Sequence, residues 1–140
     1  MPNVTPALQA IDVVAPQGRA GFLVREQLND ELGRDFTVPA RYRLELTVAE
    51  TRAPRGLRVN NVGAEIELAM HVGYTLVENA TSRRLLSGAA PISVFYVGAD
   101  APYAGVAAQQ DAMERAASQA AVMIRLHLSR QFARASRPAS

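Results

Sequence analysis

Arginine is the residue type in this chain whose placement points most clearly to a chemistry. All fifteen basic residues are arginine, and there is no lysine. Two clusters stand out, one in a loop and one beside a turn: Arg52, Arg55 and Arg58, and then Arg83 and Arg84. A guanidinium group presents a planar fork of donors that matches phosphate oxygens. The clusters are therefore candidate phosphate-binding groups, although a GC-rich genome and ordinary solvated loop charge would give the same composition.

The other reactive residue types do not form a catalytic or metal-binding pattern. Cysteine is absent, which excludes disulfides, thiolate metal ligands and thiol nucleophiles. His71 and His127 have no carboxylate at metal-ligand spacing, so we interpret them as structural or surface side chains. Glu65 and Glu67 share one strand face, where solvation explains them better than acid–base catalysis. Segment 18–21 lacks the lysine of a phosphate loop, and no serine lies in a nucleophile elbow. The sequence thus predicts no enzyme activity, no cofactor and no metal.

Length and composition indicate one globular domain. The 140 residues, 49% hydrophobic and 20% charged, can bury one core. No run approaches the roughly 18 apolar residues of a membrane-spanning helix. Residues 1–6 lack the basic and apolar regions of a signal peptide, so the protein is either cytoplasmic or lacks its targeting segment here. We expect a disordered lead-in over 1–6, a domain over 7–132 and a frayed tail over 133–140.

Hydrophobic periodicity predicts two helices and four strands. Apolar residues recur every four positions from Ala20 to Leu32, which predicts a helix over 19–33 with Gly33 as its C-cap. An alanine-rich stripe predicts a second helix over 104–132. Apolar and polar residues alternate in four other segments, which we interpret as strands: 8–14, 40–50, about 65–77, and 83–97. Segment 51–56 is expected to be a turn or flexible loop, and Pro91 indicates a bend or an edge position.

These elements predict an α+β fold in the order β-α-β-β-β-α. One amphipathic sheet and two amphipathic helices bury their apolar faces most simply as a two-layer sandwich. We therefore expect a mixed sheet of about four strands with both helices packed on one face. The loop near residue 52 and the turn near residue 83 should then lie at opposite ends of the sheet, which makes the two arginine clusters separate sites.

The ordered series of elements also resembles a known family. The residues that carry the resemblance are the strand Leu8 to Val14, Gly18-Arg19 opening a helix through Leu28 to Leu32, Arg41-Tyr42-Arg43-Leu44-Glu45-Leu46, Gly73-Tyr74-Thr75-Leu76-Val77, Leu85-Leu86-Ser87-Gly88, Asp111-Ala112-Met113-Glu114-Arg115-Ala116-Ala117, and Ile124-Arg125-Leu126-His127-Leu128. Over residues 7 to about 130 the chain resembles the alphaproteobacterial form of the LptE family of lipopolysaccharide-assembly lipoproteins. No single segment is as specific as a zinc or phosphate-loop signature.

The resemblance implies a location and two partners. Family members are lipoproteins of the outer membrane that face the periplasm, plug the lumen of the β-barrel LptD, and bind lipopolysaccharide. Mature members begin at a lipidated cysteine, which this sequence lacks. We therefore expect the anchor to belong to a preceding segment.

Charge and strand position suggest which residues would serve these partners. Arg52, Arg55, Arg58, Arg83 and Arg84 are candidates for binding lipopolysaccharide phosphates. A polar strand face is the candidate surface towards the barrel, and its members are Arg41, Arg43, Glu45, Thr47, Glu65 and Glu67. Two alternatives stay open: a structural chaperone that assembles the barrel without binding lipid, and an unrelated small ligand-binding domain or enzyme with the same layers. Nucleic acid is not expected, because aromatic residues do not interleave with the basic ones.

Overall fold

A computed structural model describes residues 4–54, 65–97 and 102–135, without the side chains of 102–104. The elements, in chain order, are α1 (Thr5–Gln9), β1 (Ile11–Val14), α2 (Arg19–Leu32), β2 (Tyr42–Pro54), β3 (Glu65–Glu78), β4 (Arg83–Val97) and α3 (Pro102–Ala135). The fold is the expected α+β arrangement of a mixed sheet and helices, with the short helix α1 added before the first strand.

The four strands lie in their chain order, β1-β2-β3-β4. The strand β1 pairs parallel to β2, with Ile11 beside Tyr42, because α2 carries the chain back before β2 begins. The remaining pairs are antiparallel, with Tyr42 opposite Glu78 and Glu78 opposite Arg83. We call the end of the sheet at these three residues the turn end, and the opposite end, near Pro54 and Glu65, the loop end. Pro91 lies on β4, which is an edge strand as expected.

The core lies between one face of the sheet and the helices α2 and α3. Side chains of alternate strand residues point into it and are fully buried, among them Leu44, Leu68, Val72 and Leu76. The helices contribute buried residues at three- and four-residue spacing, and α3 presents many alanines: Ala112, Ala116, Ala117, Ala120 and Ala121. These short side chains let the backbone of α3 approach its neighbours closely. A larger side chain at any of these positions would therefore overpack the core. In the part of the chain that the structure describes, no helix has both the length and the apolar character needed to cross a membrane.

The start of the chain differs from the prediction. Residues 8–14 were expected to form one strand, but Thr5–Gln9 is helical and the strand begins at Ile11. Thr5 and Pro6, placed in the disordered lead-in, also belong to this helix. Proline in the first turn favours a helix start because its missing N–H has no partner there. Leu8 and Ile11 are both buried and three residues apart, a spacing that fits a helical turn as well as a strand.

Two other elements, β2 and α3, extend further than predicted. The strand β2 continues to Pro54, so residues 51–54 are not the expected turn, while residues 55 and 56 lie outside the described residues. Pairing with β3 holds this extension, with Arg52 opposite Leu68, and a proline is tolerated because it ends the strand. The helix α3 reaches Ala135, beyond the expected limit of 132. The C-cap of α2 is confirmed: Gly33 has φ 65° and ψ 40°, the left-handed conformation that glycine adopts without strain.

Candidate functional site

One face of the sheet is covered by the helices, and none of the described elements packs on the other, which we call the open face. Because strand residues alternate between faces, the register identifies its members. The rows across β2, β3 and β4 are Glu45–Thr75–Ser87, Thr47–Gly73–Ala89, Ala49–His71–Pro91 and Thr51–Ala69–Ser93. Most of these side chains are small, so the middle of the open face is flat. Its broadest exposed surface is therefore backbone and short polar or methyl groups.

The predicted barrel-facing residues come together on this face. Arg43, Glu45, Thr47, Glu65 and Glu67 all lie on it, in the alternation expected from the sequence. Arg41 lies one residue before β2, at the margin of the sheet, with its guanidinium carbon 5.5 Å from the centre of the Tyr42 ring.

Several of the charged groups on the open face are held by local hydrogen bonds. The Arg43 Nε lies 2.9 Å from Glu45 Oε2, and Arg43 Nη1 also donates to Asn79 Oδ1 at 3.2 Å. Towards the loop end, the Ser93 hydroxyl donates to Glu67 Oε2 at 2.5 Å. These contacts sit at the margins and leave the central rows free of charge. A partner that covers the central rows would therefore desolvate few charges.

The predicted lipopolysaccharide-binding arginines fall at both ends of the sheet. Arg52 lies on the helix side of β2, where its Nη2 is 3.2 Å from Glu50 Oε1 and 3.9 Å from Met113 Sδ. Arg83 and Arg84 are exposed at the start of β4, at the turn end. Arg52 and Arg84 are about 30 Å apart along β3, at a rise of about 3.3 Å per residue. Arg55 and Arg58 lie outside the described residues.

A further arginine, Arg34, was not singled out by the sequence, although it is the most enclosed of the ion-paired arginines described. Only 5% of its side chain is exposed, and its Nη2 lies 2.8 Å from Asp12 Oδ1. Its Nη1 donates to the backbone oxygens of Gln9, at 3.0 Å, and of Asp35. Arg34 thus connects α1, β1 and the segment leading to β2. Its local sequence does not indicate this, because Gln9 and Asp12 are 25 and 22 residues away in the chain.

A second polar contact that the sequence did not predict is the pair of Tyr74 and His127 in the core. The Tyr74 hydroxyl is hydrogen-bonded to His127 Nδ1, and the two rings meet edge to face with their centres 5.7 Å apart. Gly88 lies opposite Tyr74 on β4, and a Cβ there would be 2.6 Å from the hydroxyl oxygen. The absence of a side chain at position 88 therefore makes room for the pair. The sequence predicted that both histidines are structural or surface side chains. His127 lies in this pair, and His71 lies exposed on the open face.

Burial raises the pKa of the Tyr74 hydroxyl above its ordinary value of 10.0. In the unfolded chain Tyr74 would ionise near pH 10, so its contribution to stability is complete below that pH. That contribution is lost as the pH rises through the higher pKa of the folded protein. Subtracting the tyrosinate absorbance titration of Tyr74→Phe from that of the wild type isolates this residue. We expect the midpoint of the difference curve to lie above pH 10, and a midpoint at or below 10 would contradict the burial argument.

None of these groups forms a catalytic or metal centre. Across residues 4–54, 65–97 and 102–135, no three metal-ligating side chains gather in one place. The Tyr74 hydroxyl and His127 bind each other in the core, and the concave region lined by Thr47, Gly73 and Ser87 is a shallow groove on the surface. The arrangement supports binding through surfaces.

Comparison with known proteins identifies the family. The family model LptE, described as lipopolysaccharide-assembly, matches residues 8–128. A lipoprotein structure from Caulobacter crescentus CB15 has 43% sequence identity and a TM-score of 0.84, and the match covers 97% of this chain and 98% of that one. No curated protein sequence matches the chain.

Two more distant structures share the fold. Rare lipoprotein B from Shewanella oneidensis has 17% identity and a TM-score of 0.65, covering 91% of this chain and 98% of its own. The minor lipoprotein from Acinetobacter baumannii has 12% identity and a TM-score of 0.59, covering 86% and 94%. The family match over nearly the whole domain, and the close structural relative, agree with the resemblance read from the residues. The chain belongs to the LptE family of lipopolysaccharide-assembly lipoproteins.

Proposed function

We propose that this protein is a periplasm-facing lipoprotein of the outer membrane that plugs the LptD β-barrel, assists its assembly and binds lipopolysaccharide. The role is physical and not catalytic. Family membership supports a role in lipopolysaccharide assembly. The observation that carries the finer proposal is the open face, a four-stranded surface with small side chains at its centre and its charges at the margins.

The open face suits contact with the inside of a barrel. The interior of a transmembrane barrel is polar, so a partner for it should be polar without carrying unpaired charge into the contact. Thr47, Thr75 and Ser87 supply hydroxyl groups on neighbouring strands, and Gly73 between them keeps the surface low. Short side chains also allow a wall of strands to approach closely, which increases the dispersion contacts per unit area.

A single bulky substitution at the centre of the open face tests the proposal. Ala49 is exposed there, beside His71. We expect Ala49→Trp to fold normally but to reduce recovery of the LptD complex by roughly tenfold, since overpacking a close contact costs about 1–3 kcal/mol. The measurement is co-purification of the two proteins from membranes that express both, scaled to the amount of folded protein.

Met123→Trp is the matched control. Met123 is 43% exposed on α3, away from the open face, and gains the same large side chain. Full recovery of the complex with Ala49→Trp would remove the open face from the contact. An equal loss in both variants would show that the whole surface is confined and that the open face has no special role.

Lipopolysaccharide binding is measured separately, with the isolated protein. Arg55 and Arg58 are the members of their cluster that we assign to the lipid phosphates, since Arg52 is already held by Glu50. Changing both to glutamate should weaken lipopolysaccharide binding at matched salt without unfolding the domain. If the wild type itself shows no affinity for lipopolysaccharide but co-purifies with LptD, the protein is a structural chaperone for the barrel.

A further inference from the structure

The turn end of the molecule carries a group of exposed arginines from three elements. Arg41 precedes β2, while Arg83 and Arg84 open β4. The helix α3 ends at the same place, because the Phe132 ring packs against the Tyr42 ring with centres 5.1 Å apart. Arg130 and Arg134, within one helical turn of Phe132, are therefore brought to this end as well. We call these five arginines, all exposed, the basic end: Arg41, Arg83, Arg84, Arg130 and Arg134.

Most of the other arginines among the described residues have a carboxylate partner, and the exposed Arg19 is the exception. Arg34, Arg43, Arg52, Arg115 and Arg125 each lie within 3.2 Å of a carboxylate oxygen. No member of the basic end has such a partner among residues 4–54, 65–97 and 102–135. Their charge is thus available to an external anion.

The nearby carboxylates only partly offset this charge. Glu78 accepts a hydrogen bond from Thr81 at 2.8 Å, and Asp35 accepts bonds from Thr37. Asp30, near the end of α2, is the other carboxylate of this region outside ion-pair distance of an arginine. At the loop end the described charges have the opposite balance, because Arg52 and Arg115 are paired and Glu65 and Glu114 add further carboxylates. Among the described residues, the turn end is therefore more basic than the loop end.

The N-terminal part of the chain emerges at the basic end. The Arg41 N–H donates to the Ala10 carbonyl at 2.9 Å, and the Gln9 carbonyl accepts from the Asp35 N–H at 3.1 Å. The helix α1 comes immediately before these residues and spans five residues, or about 8 Å. Any lipid anchor joined to the N-terminal side of α1 therefore approaches the domain near the basic end.

We propose that the basic end faces a membrane surface and binds its anionic phospholipid headgroups, in the leaflet that holds the lipid anchor. This rests on the lipoprotein role proposed above and adds an orientation to it. The five arginines spread over the ends of three elements and do not line a common pocket. Such a spread fits a plane of many phosphates better than one enclosed ligand. Arginine also suits this contact because its fork binds phosphate oxygens in pairs.

Vesicle binding by the full, unacylated chain tests the proposal. Sedimentation is measured with vesicles of phosphatidylcholine alone and of phosphatidylcholine mixed with phosphatidylglycerol. We expect binding only to the anionic vesicles, falling as salt rises. Changing Arg83 and Arg84 together to glutamate should lower the partition coefficient by roughly twentyfold or more, since each arginine at an anionic surface contributes a factor of about five.

The matched control reverses the same number of charges elsewhere. Arg19 and Arg25 lie on the first two turns of α2, away from the turn end, and their double change to glutamate should leave vesicle binding nearly unchanged. Equal losses in both variants, or no loss in Arg83→Glu/Arg84→Glu, would overturn the proposal. So would unchanged vesicle binding together with lost lipopolysaccharide binding, which would assign these arginines to that lipid. Co-purification with LptD reports on the barrel contact independently, so failure of one proposal is not failure of the other.

Discussion

Replacing Arg34 with methionine is expected to lower the free energy of unfolding by about 3 kcal/mol, within the range seen when one partner of an enclosed ion pair is removed. The methionine can fill much of the space of the arginine stem. It cannot donate to the Gln9, Asp35 and Val38 carbonyls, which accept from Arg34 Nη1 in the folded protein. Those oxygens would lose a charged donor, and each such bond contributes about 1.5–3 kcal/mol.

The partners of Arg34 limit the size of the effect. The Asp12 side chain is 49% exposed and can be solvated by water once the arginine is gone, so the loss comes mainly from the carbonyl contacts. Arg34→Lys should recover less than half of the lost free energy of unfolding, because one ammonium group cannot reach Asp12 and the carbonyls together. Phe36, whose ring centre lies 4.8 Å from the guanidinium carbon, would also lose its cation contact.

Urea unfolding followed by circular dichroism measures this prediction. The urea concentration at the midpoint should fall, while the slope of the unfolding free energy against urea concentration (the m-value) stays the same. The melting temperature should drop by about 10 °C. Arg25→Met is the control, since Arg25 is 44% exposed and only 3.9 Å from Glu26, and it should change stability by no more than about 0.5 kcal/mol. A loss below 1 kcal/mol for Arg34→Met would show that the carbonyls of this segment are satisfied by water instead.

The example of Arg34 shows which features periodicity can and cannot predict. Alternation along β2 and β3 identified the open-face residues, because the face of a strand residue depends only on whether its position is odd or even. The same rule places Arg52 on the helix side with Tyr42 and Leu44, but Pro54 suggested that the strand had already ended. Arg34 and the Tyr74–His127 pair depend on which segments meet in space, and a single sequence carries no periodic signal for that.

The arrangement of the fold explains why two surfaces remain for partners. Helices α2 and α3 cover the apolar face of the sheet, so the sheet itself can contact a partner only through its open face, its ends and its edges. The open face is nearly neutral at its centre, whereas the turn end is basic. A neutral, flat surface suits a close contact with a polar wall, and a basic end suits an anionic surface. The two contacts proposed above, with a barrel and with a membrane surface, therefore use different parts of one small domain.

Gly21→Ala is the second substitution expected to have a large effect, a loss of about 2–3 kcal/mol of stability. Gly21 lies near the start of α2, where a Cβ would be 2.1 Å from the Pro16 carbonyl oxygen and 3.1 Å from its carbonyl carbon. Alanine in a helix normally gains about 1 kcal/mol over glycine, so the expected loss already includes that gain. The obstacle is a backbone group, which can move only if the connection from β1 to α2 moves with it.

This close approach gives segment 18–21 a structural role. The segment begins α2 and lies against the connection from β1, residues 15–18, and β1 is held in the sheet by its parallel pairing with β2. Moving Pro16 outward by the 1 Å or so that a methyl group needs would therefore displace α2 from the core, where Val24 and Leu28 are fully buried. Relaxation at this site requires the loss of other contacts, which is why the effect should exceed that of a typical surface substitution.

Gly73→Ala is the matched control, because the same methyl group meets an obstacle that can move. A Cβ at position 73 would be 2.6 Å from Thr47 Oγ1, an exposed side-chain atom that can turn away by rotation about χ1. We expect Gly73→Ala to change stability by less than about 1 kcal/mol, and thermal melting of the two variants side by side measures the difference. If both alanines are tolerated equally, the loop before α2 is free to shift. The position of β1 would then have to be maintained by its pairing with β2, by the burial of Ile11 and by Arg34.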